Sequence, residues 1–113
     1  MTEFNWADFA QQNPEAMKPV LEVLGWTYRN GYFIRVGWDH YNDCEGIVTV
    51  DNKDAPGLIR DAIVGMVLDA ELGIDPRYGK ERNEIAVYDE FGNAVASGDT
   101  LDAALAEWLK ARA

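Results

Sequence analysis

His40 and Cys44, the single histidine and single cysteine of the chain, sit together in Trp38 to Gly46, written WDHYNDCEG. Asp39, Asp43 and Glu45 flank them. These residue types allow three readings. A zinc centre takes three or four well-placed N, S or O ligands, and its recognisable spacings use Cys or His in pairs. One of each needs carboxylates to complete a shell. A calcium loop fits no better. Asp39, Tyr41 and Asp43 occupy alternate positions, but Tyr41 offers neither carboxylate nor amide, and no glycine follows Asp43.

A nucleophilic Cys44 requires a base in hydrogen-bond reach, which His40 supplies only across a curled loop. The neighbouring carboxylates disfavour a thiolate. The third reading is a polar turn joining two strands, in which Asp39, Asn42 and Asp43 bond local backbone and Cys44 tucks against the core. Elsewhere Asp69, Glu71, Asp89 and Glu90 supply paired carboxylates, as an acidic composition does by itself. No phosphate loop, dinucleotide fingerprint, nucleophile elbow or His-Glu metal helix is present. The sequence therefore predicts a non-enzyme with no cofactor, no metal site and no catalytic residue. Arg77-Tyr78-Gly79-Lys80-Glu81-Arg82 has the chemistry to touch a phosphate or an acidic partner, but its interrupted charges read first as a solvated connection.

Twenty acidic residues against ten basic ones leave a net charge of -10, which opposes direct binding to nucleic acid. Two readings stay open. Acidity keeps a small protein soluble, or it docks the chain on the basic, nucleic-acid-binding surface of another protein. For docking, the expected residues are Asp39, Asp43, Glu45, Asp51 and Asp54, on loops around the third strand, with Tyr41 as anchor. No apolar run reaches membrane-spanning length. The N-terminus lacks a signal-peptide pattern, and one cysteine forms no internal disulfide, so a cytoplasmic location is expected.

The elements that must position these residues follow from periodicity. Phe4, Trp6, Ala7 and Phe9 suggest a helical turn or two. Asn13-Pro14-Glu15 opens a helix carrying Met17, Val20, Leu21 and Leu24 and ending at Gly25, with Pro19 implying a kink or a later start. Trp26 to Arg29 and Tyr32 to Trp38 form a hairpin around Asn30-Gly31, the dipeptide of a type I′ turn. Alternation puts Tyr32, Ile34, Val36 and Trp38 on one face, with Phe33 and Arg35 on the other. Phe33, Tyr41, Tyr78 and Phe91 are expected on loops or the weaker sheet face, unless the N-terminal helices cover Phe33. Ile47 to Val50 makes a third strand.

A helix from about Asp54 to Leu72 carries a broad apolar stripe and stops before Gly73. Glu84 to Asp89 and Ala94 to Ser97 make a second hairpin. Leu101, Ala104, Leu105, Trp108 and Leu109 define a final helix capped at Asp99-Thr100. The expectation is one α+β domain over residues 1–113, with an antiparallel sheet of about five strands in the order α-βββ-α-ββ-α. It would be a two- or three-layer sandwich.

VLEVLGWTYRN, an apolar helix ending in Gly-Trp and turning straight into a strand, resembles the opening of the phage ABA-sandwich family of small phage proteins. ASGDTLDAALAEWLKA resembles that family's close, where a strand enters a Thr-capped helix rich in Ala and Leu. The resemblance spans most of the chain in element order and these two stretches in sequence. The Asp75 to Arg82 loop and the acidity depart from the pattern. It implies a phage or prophage protein and brings no catalytic residue. Together with the charge, it leads to an expected protein-binding inhibitor. The concrete form is a counter-defence, anti-CRISPR-like protein mimicking nucleic-acid charge. The alternative is a structural or accessory phage protein that self-associates, as a homodimer, without inhibitory activity.

Overall fold

The computed structural model describes residues 4–75 and 84–113. The chain forms two compact units, one of Asn5–Ile59 and the other of Arg60–Ala113 with Met1–Phe4. These are called the N-terminal and C-terminal units. The Arg77 to Arg82 loop, with Tyr78, lies outside the described residues.

In the N-terminal unit, helix α1 (Trp6–Gln12) begins at Asn5, whose side chain accepts from the Asp8 N–H at 3.1 Å. Helix α2 (Pro14–Leu24) follows with Pro at its first position, where a missing N–H costs nothing. Asn13 makes no side-chain cap to α2, contrary to its expected role. Its backbone and side-chain N–H groups both turn back to the Phe9 carbonyl and close α1 instead. Helix α2 continues through Pro19, so no later start is needed. Gly25 ends it at φ 71°, the left-handed cap expected of glycine.

Three antiparallel strands follow in the order β1-β2-β3: β1 (Trp26–Arg29), β2 (Tyr32–Asp39) and β3 (Cys44–Thr49). The β1–β2 turn has Asn30 at φ 52° and Gly31 at φ 87°, the two positive angles that a type I′ turn demands. Trp26, Tyr28 and Phe33 share a sheet face, and Phe33 is buried with its ring centroid 5.7 Å from Trp26 and 5.4 Å from Tyr28. β1 starts immediately after the α2 cap, and the two elements pack together. Met17 and Val20 of α2 are fully buried in the same unit.

Helix α3 (Ala55–Asp69) begins in the N-terminal unit and continues in the C-terminal one. It stops three residues short of the expected Leu72, with Glu71 at φ 62° taking the left-handed position. The Glu71 and Leu72 N–H groups close the end on the Leu68 and Val67 carbonyls. Gly73 serves another purpose: a Cβ there would run into the Tyr88 ring.

The C-terminal unit contains a second antiparallel sheet, β4 (Gly73–Asp75), β5 (Ile85–Tyr88) and β6 (Ala94–Gly98), in the order β4-β5-β6. Helix α4 (Leu101–Arg112) packs on β5 and β6, capped by Thr100 Oγ1 accepting from the Ala103 N–H at 3.1 Å. Gly98 allows the close approach, since a Cβ there would lie 2.8 Å from the Ala103 Cβ. Ile63, Val67, Val87, Leu105 and Leu109 are fully buried. Arg60 on α3 meets Asp102 on α4 in a bidentate ion pair, Nε to Oδ1 at 2.7 Å and Nη2 to Oδ2 at 2.9 Å.

The α+β class is as expected. The sheet arrangement is not: among the described residues six strands form two three-stranded sheets, where one sheet of about five was anticipated. The second hairpin does not join the first sheet, and β4 supplies the sixth strand. Three residues are too few for alternation to register, yet β4 pairs with β5 through Gly73↔Tyr88, Ile74↔Val87 and Asp75↔Ala86. The second hairpin thereby gains its own third strand.

Candidate docking site

Strand β1 pairs only with residues 32–35 of β2. The register between β2 and β3 continues through Val36↔Ile47, Gly37↔Gly46, Trp38↔Glu45 and Asp39↔Cys44. Beyond β1, therefore, residues 36–47 run on as a two-stranded ribbon closed by the turn His40 to Asp43. The stretch that holds the only His and Cys is the tip of this ribbon.

Asp39 organises the tip. Its Oδ1 accepts from the Tyr41 N–H at 2.9 Å and the Asn42 N–H at 3.3 Å, and its Oδ2 accepts from Asn42 Nδ2 at 2.7 Å. Asp43 then takes φ 53°, a left-handed conformation that Asp tolerates better than most side chains. These bonds make a turn whose carboxylate is held by donors. The Asn42 side-chain amide foremost, then the Asn42 and Tyr41 backbone N–H groups, hold the Asp39 carboxyl below its ordinary range.

The pH consequence has a definite sign. A depressed folded-state value means the turn gains from ionised Asp39 above the ordinary carboxylate range, and loses that gain as pH falls through the folded value. In an NMR titration, Asp39 is expected to titrate at lower pH in the folded chain than in a peptide of residues 37–46, and Asn42→Ala should move it back up. Titration at or above the peptide's value would contradict the turn.

Cys44 is an exposed free thiol and does not tuck into the core. Its position explains this, for it pairs with Asp39 at the ribbon end, past the last β1 contact. His40 is exposed in the turn. Among the described residues no group of three or more His, Cys, Asp or Glu side chains is placed to hold a metal ion.

The six residues expected to dock a partner fall into two groups. Asp39, Tyr41, Asp43 and Glu45 gather at the ribbon tip, where Tyr41 is 95% exposed. Asp51 and Asp54 lie past the other end of β3, a strand length of roughly 20 Å away. There they shape the entry to α3: Asp51 Oδ1 accepts from the Lys53 N–H, and its carbonyl accepts from the Asp54 and Ala55 N–H groups. Asp54 in turn offers its carbonyl to the Leu58 N–H. The two aspartates thus lie apart from the tip cluster and serve a helix start.

Sequence reasoning missed the apolar side of the ribbon. Val36 is 65% exposed, Trp38 53% and Ile47 71%, all on one face with Glu45. The opposite face carries Gly37, Gly46, Asp39 and Cys44, and the Arg35 guanidinium lies over Gly37. The available signal was Gly37 and Gly46, which leave one ribbon face almost bare. Elsewhere in the unit, an open depression of about 460 Å³ is lined by Gln11, Tyr28, Asn30 and Gly31, without a charged side chain.

No family model, curated protein or solved structure matches the chain. No helix among the described residues is long and apolar enough to cross a membrane.

Proposed function

We propose that the chain acts by binding another protein, and that the ribbon tip is the docking element. One observation carries this reading. Residues 36–47 hold Asp39, Asp43 and Glu45 and no Lys or Arg, beside an almost fully exposed Tyr41. Carboxylates around an exposed aromatic suit a cationic protein surface, where the ring supplies contact area and the charges supply orientation and encounter rate. The partner is a protein whose basic surface ordinarily binds nucleic acid. The resemblance to small phage proteins supplies the setting, the bacterial host cytoplasm, and the role, an anti-CRISPR-like inhibitor that occupies a nucleic-acid channel.

The reading is tested by capture from a bacterial lysate on immobilised chain, comparing the parent with Tyr41→Ala and with Asp43→Asn/Glu45→Gln. Asn suits the left-handed position at residue 43, so the turn survives. Each variant is expected to weaken capture about tenfold, as truncation of an interface anchor does. Capture that is unchanged in both variants would refute the tip as the docking element. A second reading, a self-associating accessory phage protein, draws on the exposed apolar ribbon face and requires a dimer by light scattering.

A further inference from the structure

The apolar face of the ribbon is too well defined to be incidental. A two-stranded ribbon is marginal in water by itself, and this one turns Val36, Trp38 and Ile47 to solvent while glycines line its other side. Trp38 and Glu45 are direct cross-strand partners, so an indole and a carboxylate stand side by side on that face. This pair is suited to a Lys or Arg side chain, which gains from the ring face and from the carboxylate together. Val36 and Ile47, two register pairs closer to the sheet body, suit aliphatic side chains.

We propose that this face binds an amphipathic cationic segment of a partner protein, with its apolar residues over Val36 and Ile47 and a Lys or Arg between Trp38 and Glu45. The proposal rests on the docking reading above and deepens it, since a uniformly polar basic channel would leave the apolar strip uncovered. Charge selects the occupant. A second copy on this face would bring another Glu45, and the Asp39 and Asp43 of its own acidic ribbon, with no Lys or Arg between residues 36 and 47 on either side to offset them. Arg29 lies at the far end of the same sheet face, and the Arg35 guanidinium lies over Gly37 on the opposite one, so neither stands beside the Trp38 and Glu45 pair.

The test uses the full chain and three helical peptides of equal length: Leu/Lys amphipathic, Ser/Lys polar, and Leu/Glu amphipathic. Binding is followed by amide chemical shifts. The Leu/Lys peptide is expected to bind and to move the Val36, Trp38, Glu45 and Ile47 signals, the Ser/Lys peptide to bind at least about tenfold more weakly, and the Leu/Glu peptide not at all. Val36→Thr/Ile47→Thr keeps strand-forming residues at exposed positions, and should weaken Leu/Lys binding about tenfold without changing the fold by circular dichroism.

Equal binding of the Leu/Lys and Ser/Lys peptides, unaffected by the threonines, would overturn the apolar face while leaving the acidic tip standing. Shifts scattered over the whole acidic surface would overturn it too. A dimer dispersed by the same threonines would assign the face to a second copy and likewise overturn the proposal. Loss of lysate capture in the Tyr41→Ala chain bears on the tip alone, since Tyr41 lies in the turn and off the Val36, Trp38, Glu45 and Ile47 face, so the two ideas fail separately.

Discussion

Leu105→Ala is expected to lower the unfolding free energy of the C-terminal unit by about 2–5 kcal/mol. Leu105 is fully buried on α4, as is Leu109 one turn on. The cost grows with the volume that stays empty once the side chain is removed. Leu68→Ala is the control: Leu68 is 60% exposed and should change stability by less than about 0.5 kcal/mol. Urea unfolding followed at the indole N–H of Trp108 reads the effect within this unit. A Leu105 variant as stable as the Leu68 variant would mean that α4 does not pack as described.

Asp102→Ala should have the next largest effect, about 2–3 kcal/mol, below the 3–5 kcal/mol typical when one partner of a fully buried pair is removed. The discount has a structural cause. The Asp102 side chain is 11% exposed but Arg60 is 40% exposed, so a guanidinium that loses this carboxylate can still turn toward water. Two further losses accompany it, the bidentate geometry and a carboxylate in the first turn of α4, where the helix dipole favours negative charge. Arg60→Ala strands the more buried partner and should cost at least as much. The double variant Arg60→Ala/Asp102→Ala should then be less destabilised than the sum, with a coupling of about 1–2 kcal/mol. Additive losses would show that the pair contributes nothing of its own.

Where a local rule governed, the sequence was readable. Thr100 caps α4, Gly25 ends α2, and Asn30-Gly31 makes the hairpin turn, because each residue meets a backbone need within one or two turns. Asp102 was legible as a helix-start residue, but its partner Arg60 lies 42 positions away, beyond any local pattern. Strand β4 escaped because three residues show no period. It supplies the sixth strand, while the two sheets stay separate because β1, β2 and β3 pair only with one another, as do β4, β5 and β6.

The candidate site was legible in chemistry and not in geometry. Alternation in β2 gave two faces, and the one with more apolar residues turned out to be the exposed one. The buried face is the one on which Phe33 meets Trp26 and Tyr28, a choice that alternation alone does not make. Tyr41 and the tip acids followed from the turn composition. Separation of Asp51 and Asp54 from that tip followed only once the length of β3 was known.

Central to this account is that the acidic ribbon occupies a surface that nucleic acid would otherwise hold. Competition measures it most directly: proteins captured from a bacterial lysate on the immobilised chain are challenged with short duplex DNA and, separately, with salt raised from about 0.05 to 0.5 M. The account predicts that DNA displaces the captured partner, that salt weakens the complex, and that the partner binds DNA by itself. A partner that stays bound through both challenges would contradict it.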